Sequence, residues 1–172
     1  MAEIYDPPIP WTGVLKVPLV LYRTRVRSEW IDEFEHVNSA HYLSISNHAG
    51  WAFWNWINSP EGTMEARGGH ENVVIENHVR YLNELTLGTE INVTTQLSDF
   101  DNKRFVLLHQ IRRSDDGVLA ATNEMKCLAF NLNNRRAEKW RSIVVDRLEL
   151  IRNFQAAVGA PATLGRVALK ER

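Results

Sequence analysis

Cysteine is almost missing from this chain. Its single thiol, Cys127, excludes an internal disulfide and a cysteine-built metal cluster, and it fits a reducing compartment. Long apolar runs are missing too. No stretch approaches the roughly 18 apolar residues of a membrane span. The first residues, Met1 to Asp6, have neither the basic start nor the apolar centre of a secretory signal. An excess of one charge is absent: the formal net charge is −1, so no global field draws in nucleic acid or an anionic membrane. Neither HExxH nor a paired Cys/His spacing occurs, so no metal is expected. No cofactor is expected, and the expected location is cytoplasmic.

What is present suits a soluble core. Of 172 residues, 44% are hydrophobic and 24% charged, the balance of an ordinary globular domain. One domain spanning 1–172 is expected, with a core over about 14–145 and a C-terminal helix and tail over 146–172. Tryptophan is the surplus: three of the six fall at Trp51, Trp54 and Trp56.

Prolines 7, 8 and 10 read as an extended arm, because proline removes donors and fixes φ. Residues 19–27 alternate around Val20, Thr24 and Val26, a strand pattern. Residues 28–38 are polar and irregular, a loop. Ser39 is placed to cap a helix running to about Trp56, along which Tyr42, Ile45, Ala49 and Ala52 or Phe53 recur at helical steps. Asn58, Ser59, Pro60 and Gly62 stop it. A mobile stretch is expected around Arg67, Gly68 and Gly69. From Val73 to about Arg141 the pattern is antiparallel strands, with Asp116-Gly117 turning one hairpin. A last helix is expected over 145–157, on the stripe Leu148, Ile151 and Phe154, and the tail from Gly159 reads as loose. The order predicts an α+β layer architecture.

The segment that carries chemistry spans residues 30–42, between a strand and the start of the long helix. It holds Asp32, His36, Val37, Asn38, Ser39, Ala40 and Tyr42. A helix start offers unpaired N–H groups and a positive dipole end, which suit a developing oxyanion. A carboxylate just upstream can attack a carbonyl or activate water beside it. Acidic residues also precede helices merely to favour the dipole, so spacing alone leaves both readings open.

The register of Asp32, His36-Val37-Asn38, Ala40 and Tyr42 resembles the signature of hotdog thioesterases related to 4-hydroxybenzoyl-CoA thioesterase. Residues 81–93, with Gly88 ahead of Ile91 and Val93, are similar to that family's strand, glycine turn and next strand. The resemblance runs from about Val20 to Arg141. It implies a hotdog fold, an antiparallel sheet wrapped around one long central helix, and hydrolysis of an acyl-CoA. By the same resemblance Asp32 is nucleophile or general base, and the amides near Ser39 and Ala40 are oxyanion donors. His36 and Asn38 complete the catalytic candidates, His36 chiefly as a turn residue. A homodimer or homotetramer is implied as well, because family sites lie between subunits, with Asp32 facing strand residues near Asn77 and Arg80 of another copy. Two departures stand out: Trp30 where many relatives have aspartate, and Glu35 where they have glycine. Glu35 is expected to face solvent.

Trp30, Tyr42, Trp51 and Trp54 are the candidate substrate contacts. Their plain alternative is core packing. As a cage they would favour a quaternary ammonium, each cation–π contact being worth roughly 0.5–2 kcal/mol. Thioesterases of carnitine breakdown belong to the resembled family, so betainyl-CoA stands beside an ordinary short-chain or aryl acyl group. Lys103, Arg104, Arg112 and Arg113 are candidates for the CoA phosphates, or else solvated hairpin ends. Two other functions stay open: a hotdog enoyl-CoA hydratase or dehydratase, and a non-catalytic binder of acyl-CoA or a quaternary amine.

Overall fold

The computed structural model describes residues 9–159 and 165–169. The chain runs β1 (Leu19–Arg25), a 3₁₀ turn (Ser28–Trp30), α1 (Ser39–Asn58), β2 (His70–Tyr81), β3 (Glu90–Phe100), β4 (Arg104–Arg113), β5 (Leu119–Asn131), β6 (Arg136–Ala137) and α2 (Ser142–Ala157). The main strands lie in the order β1-β3-β4-β5-β2, all antiparallel, with the short β6 on β5. α1 lies against one face of this sheet, which we call inner.

The strand periodicity explains the layering. Ile91, Val93, Thr95 and Leu97 of β3, and Phe105, Leu107, His109 and Ile111 of β4, point inward, one residue in two. The inner surface is closed by Tyr42, Ile45, Ala49 and Phe53 of α1, spaced at helical steps and all under 5% exposed. α2 buries Val144, Leu148 and Ile151. Phe154, expected on the same stripe, is only half-buried.

Several expectations need correction. The segment around Arg67, read as mobile, is pinned. Arg67 is 2% exposed; its Nε donates to Glu71 Oε1 at 2.7 Å and its Nη1 to the Glu61 carbonyl at 2.8 Å. Gly69 follows at φ +76°, and a Cβ there would stand 2.8 Å from Asn133 Nδ2. Tight backbone approach, not mobility, is what this glycine serves. The helix cap is Asn38 rather than Ser39: the Asn38 Oδ1 accepts from Ala40 N–H at 3.0 Å. An amide one residue earlier wins because its oxygen reaches the second amide of the first turn.

The tail reading fails in its described part. Glu124 lies on the outer face of β5 and is fully buried. Its carboxylate accepts from the backbone N–H groups of Gly165, Arg166 and Val167 at 2.7, 2.6 and 3.0 Å. Residues 165–169 therefore strap the back of the sheet. Residues 6–8 of the expected arm, and 160–164 and 170–172 of the tail, lie outside the described residues.

Candidate active site

The loop between the 3₁₀ turn and α1 is tightly wound. Ile31 and Val37 form a bridge. Within it, Asp32 N–H donates to the His36 carbonyl and Glu35 N–H to the Asp32 carbonyl, each at 3.1 Å. Asp32 Oδ1 accepts from Phe34 N–H at 3.0 Å, an Asx turn that fixes the side chain on its own loop. Glu35 closes the wind at φ 63°, a left-handed position that glycine adopts without strain. Its side chain is exposed, in line with the solvent reading. The loop is tied to the body by Val37 N–H to the Leu85 carbonyl and Asn38 N–H to the Trp30 carbonyl, both 2.8 Å.

These ties bring Asp32 to the mouth of α1. Asn38 Nδ2 lies 3.4 Å from Asp32 Oδ2, so one amide side chain caps the helix with its oxygen and holds the carboxylate with its nitrogen. His36 Nδ1 stands 3.7 Å from Asp32 Oδ1, too far for a hydrogen bond. The Asp32 side chain is 12% exposed, shielded yet reachable. A cleft of about 310 Å³ opens at the same end of α1, lined by His36, Ser39, Tyr42, Tyr81, Leu82 and Glu84; Asp32 does not line it and stands behind His36. Tyr81 Oη donates to the Ser39 carbonyl at 3.3 Å. Burial raises the Tyr42 phenol above its ordinary pKa against a hydrogen bond with the Leu85 backbone, and the Glu84 charge adds to the rise.

The two expected oxyanion donors are not equal. Ala40 N–H is taken by the Asn38 cap. Ser39 N–H has no partner among the described residues and is the donor left over.

The expected aromatic cage does not assemble within one chain. Trp54 is 2% exposed, donates from Nε1 to Glu71 Oε2 at 2.6 Å, and packs on Trp140 at 5.7 Å. It belongs to the core, on the side of α1 facing α2. Trp30 is 7% exposed, its ring taken by the Arg27 guanidinium and by His41. Trp51 alone stays open, 59% exposed. With Tyr22, His48 and Trp56 it lines a cavity of about 630 Å³ between α1 and β1. The three crowded histidines diverge: His36 faces Asp32, His41 stacks on Trp30, His48 on Tyr22.

The four CoA candidates separate as well. Arg104 and Arg113 are the first and last residues of β4, roughly 30 Å apart at the usual strand rise. Lys103 and Arg104 sit at the end of the sheet remote from Asp32. Arg104 is also paired with Asp101, by Nη2 to Oδ2 at 2.7 Å. Burial acts to raise the Asp101 pKa, but hydrogen bonds from Lys103 and Arg104 bring it below its ordinary value. Arg113 is paired with Asp116. Arg112 has no carboxylate partner among the described residues; it bonds the Gly117 carbonyl and Gln110 Oε1.

The thioesterase-like superfamily matches residues 26–148, which include the Asp32 loop, α1 and every main strand except β1. The chain belongs to that superfamily. Its hotdog fold recurs in a candidate thioesterase from Pseudomonas putida, with TM-score 0.74 and 28% identity over 91% of this chain and 99% of that one. It recurs also in a hypothetical protein from Staphylococcus aureus solved in complex with CoA, with TM-score 0.76 and 25% identity over 92% and 99%. In sequence the chain is 30% identical to a betainyl-CoA thioesterase from Pseudomonas aeruginosa, over 87% of this chain and 93% of that protein. It is 29% identical to an L-carnitine dehydrogenase/betainyl-CoA thioesterase from Rhizobium meliloti, over 87% of this chain and 30% of that longer protein. This superfamily member is an acyl-CoA thioester hydrolase.

Sequence reasoning missed the polar groups buried away from the loop. Among them are the Arg67–Glu71 pair, Glu124 under its strap, and His109 on the inner face, whose Nε2 has no partner among the described residues. The only signal for Glu124 was a run of polar residues, 122–124 and 126, inside a central strand.

Proposed function

We propose that this superfamily member hydrolyses betainyl-CoA to betaine and CoA, with Asp32 as its catalytic carboxylate. The observation that carries the reading is the Asp32 carboxylate tethered to the helix-capping Asn38 at 3.4 Å. A thioester carbonyl held at the mouth of α1 would take the spare Ser39 N–H, with Asp32 brought to that mouth by its tether to Asn38. Asp32 acts as nucleophile or as general base toward water. Oxyanion donors and general bases contribute about 10²–10³ and 10²–10⁴ in rate respectively, enough for an acyl group already activated by sulfur.

The trimethylammonium of betaine cannot accept or donate a strong hydrogen bond, so it needs π faces. Trp51, Trp56 and Tyr22 line a cavity of that kind, but Trp51 lies about 18 Å along α1 from Ser39 at the helical rise, too far within one chain to meet an ammonium two bonds from the thioester carbonyl. The similarity to betainyl-CoA thioesterases supports betainyl over neutral acyl groups.

The same reading has the protein working as at least a dimer. β2 is an edge strand, and Val74 and Ile75 are 43% and 47% exposed on it. An unpaired apolar edge calls for a partner. Light scattering should give at least twice the 19.8 kDa chain mass, reduced by Ile75→Lys.

Thiol release across betainyl-, acetyl-, long-chain and aryl-CoA tests the function. Asp32→Asn should lose about 10²–10⁴ of turnover while still binding betainyl-CoA; full turnover in that variant removes Asp32 from the mechanism. Cys127 will not disturb a thiol reagent, being 1% exposed with its thiol pushed up to about 12 by burial.

A further inference from the structure

The outer face of the sheet holds a second polar site, on the side away from α1. Arg23 of β1, Asn92 of β3 and Arg112 of β4 are register partners across three adjacent strands. Register partners project to one face, and neighbouring strands lie about 4.8 Å apart. The two arginines therefore rise from Cα positions roughly 10 Å apart, with Asn92 between them. All three line one cavity of about 480 Å³, which contains no carboxylate.

The charge there is uncompensated. Neither arginine has a carboxylate partner among the described residues. Arg112 is instead steadied by neutral acceptors, the Gly117 carbonyl at 3.0 Å and Gln110 Oε1 at 3.2 Å. Gln110 Oε1 is in turn 3.4 Å from Thr94 Oγ1. Two guanidinium groups without counter-charge leave a field that an anion would relieve, and their planar donors match phosphate oxygens. Beside this polar row the cavity wall is apolar: Pro18, Val20 and Leu108.

We propose that this cavity binds a nucleoside diphosphate, its diphosphate between Arg23 and Arg112 and its nucleoside against Pro18, Val20 and Leu108. The chemistry is shared by a free nucleotide and by the adenosine-diphosphate end of a coenzyme. The site does not depend on Asp32, which belongs to the loop capping α1.

Calorimetric titration of the full chain with ADP tests it. One ADP should bind per chain. Arg23→Gln and Arg112→Gln should each weaken binding at least tenfold. Arg23→Lys should recover part of the loss, and Arg104→Gln, at the far end of β4, should leave it intact. Asp32→Asn should bind ADP as the unaltered protein does, which keeps this result separate from any failure of the thioesterase reading. Thermal midpoints equal to that of the unaltered protein would confirm that the arginine variants are folded. Competition between CoA and ADP would assign the site to the coenzyme; simultaneous binding of both would assign it to a free nucleotide. No ADP heat at millimolar concentration overturns the proposal, and so does binding that survives both arginine-to-glutamine changes.

Discussion

Glu35 occupies a left-handed backbone position, φ 63°, with an exposed side chain. A non-glycine residue there costs about 1–2 kcal/mol, partly offset because glycine frees the unfolded chain. Glu35→Gly should therefore stabilise the fold by about 0.5–1 kcal/mol, read as a higher urea midpoint at unchanged slope. His109 behaves oppositely. It is fully buried, its Nδ1 is 3.0 Å from Thr95 Oγ1, and burial lowers its pKa from 6.5 to about 3. Between those values the unfolded chain binds a proton that the folded one refuses. Stability contributed by this residue thus falls as pH drops below 6.5, by about 1.4 kcal/mol per unit. Urea midpoints at pH 7 and pH 4.5 should diverge less in His109→Gln. The Asp32 loop was legible in the sequence because its geometry is local: cap, turn and carboxylate lie within seven residues, 32–38. His109 was not, since its burial depends on strands paired far along the chain.

At the scale of elements, the long helix shows where periodicity stops informing. Helical spacing marked α1 and its inner stripe correctly, and the antiparallel strands followed from alternation and the Asp-Gly turn. Spacing did not say which tryptophan lies inside. Trp54 is drawn in by Glu71, which also holds Arg67, and that pair comes from a segment whose glycines suggested looseness. Breaking it should be expensive. Glu71→Gln leaves the Arg67 charge buried and underpaired, a loss of about 3–5 kcal/mol that should lower the thermal midpoint by on the order of 10 °C. A retained midpoint would mean that water reaches Arg67. The basic pairs divided for a related reason: Arg112 lines the outer-face cavity, whereas Arg104 and Arg113 are tied to Asp101 and Asp116. Dipeptides at hairpin ends look alike in sequence, but Arg104 and Arg112-Arg113 fall at the two ends of one strand, β4, and its length keeps them apart.

Across the whole molecule, the two faces of the sheet have different covers. α1 fills one; on the other, Val106, Leu108, Glu124 and Lys126 are all at most 5% exposed, and the C-terminal strap meets Glu124 there. Glu124→Ala removes the acceptor of three backbone donors. It should cost about 2–4 kcal/mol and speed amide exchange at residues 165–167 above all. Equal exchange in the variant would mean that the strap is held by its apolar contact, Val167, alone.

The anchoring of that strap is made of main-chain donors around one acid, so it asks little of the side chains and nothing of covalent continuity. A cut between α2 and Gly165 would convert an intramolecular fastening into a receptor and its peptide. The clipped protein should then accept a synthetic copy of its own last residues, and a labelled version of that peptide would report whether the rear of the sheet is free in any larger assembly.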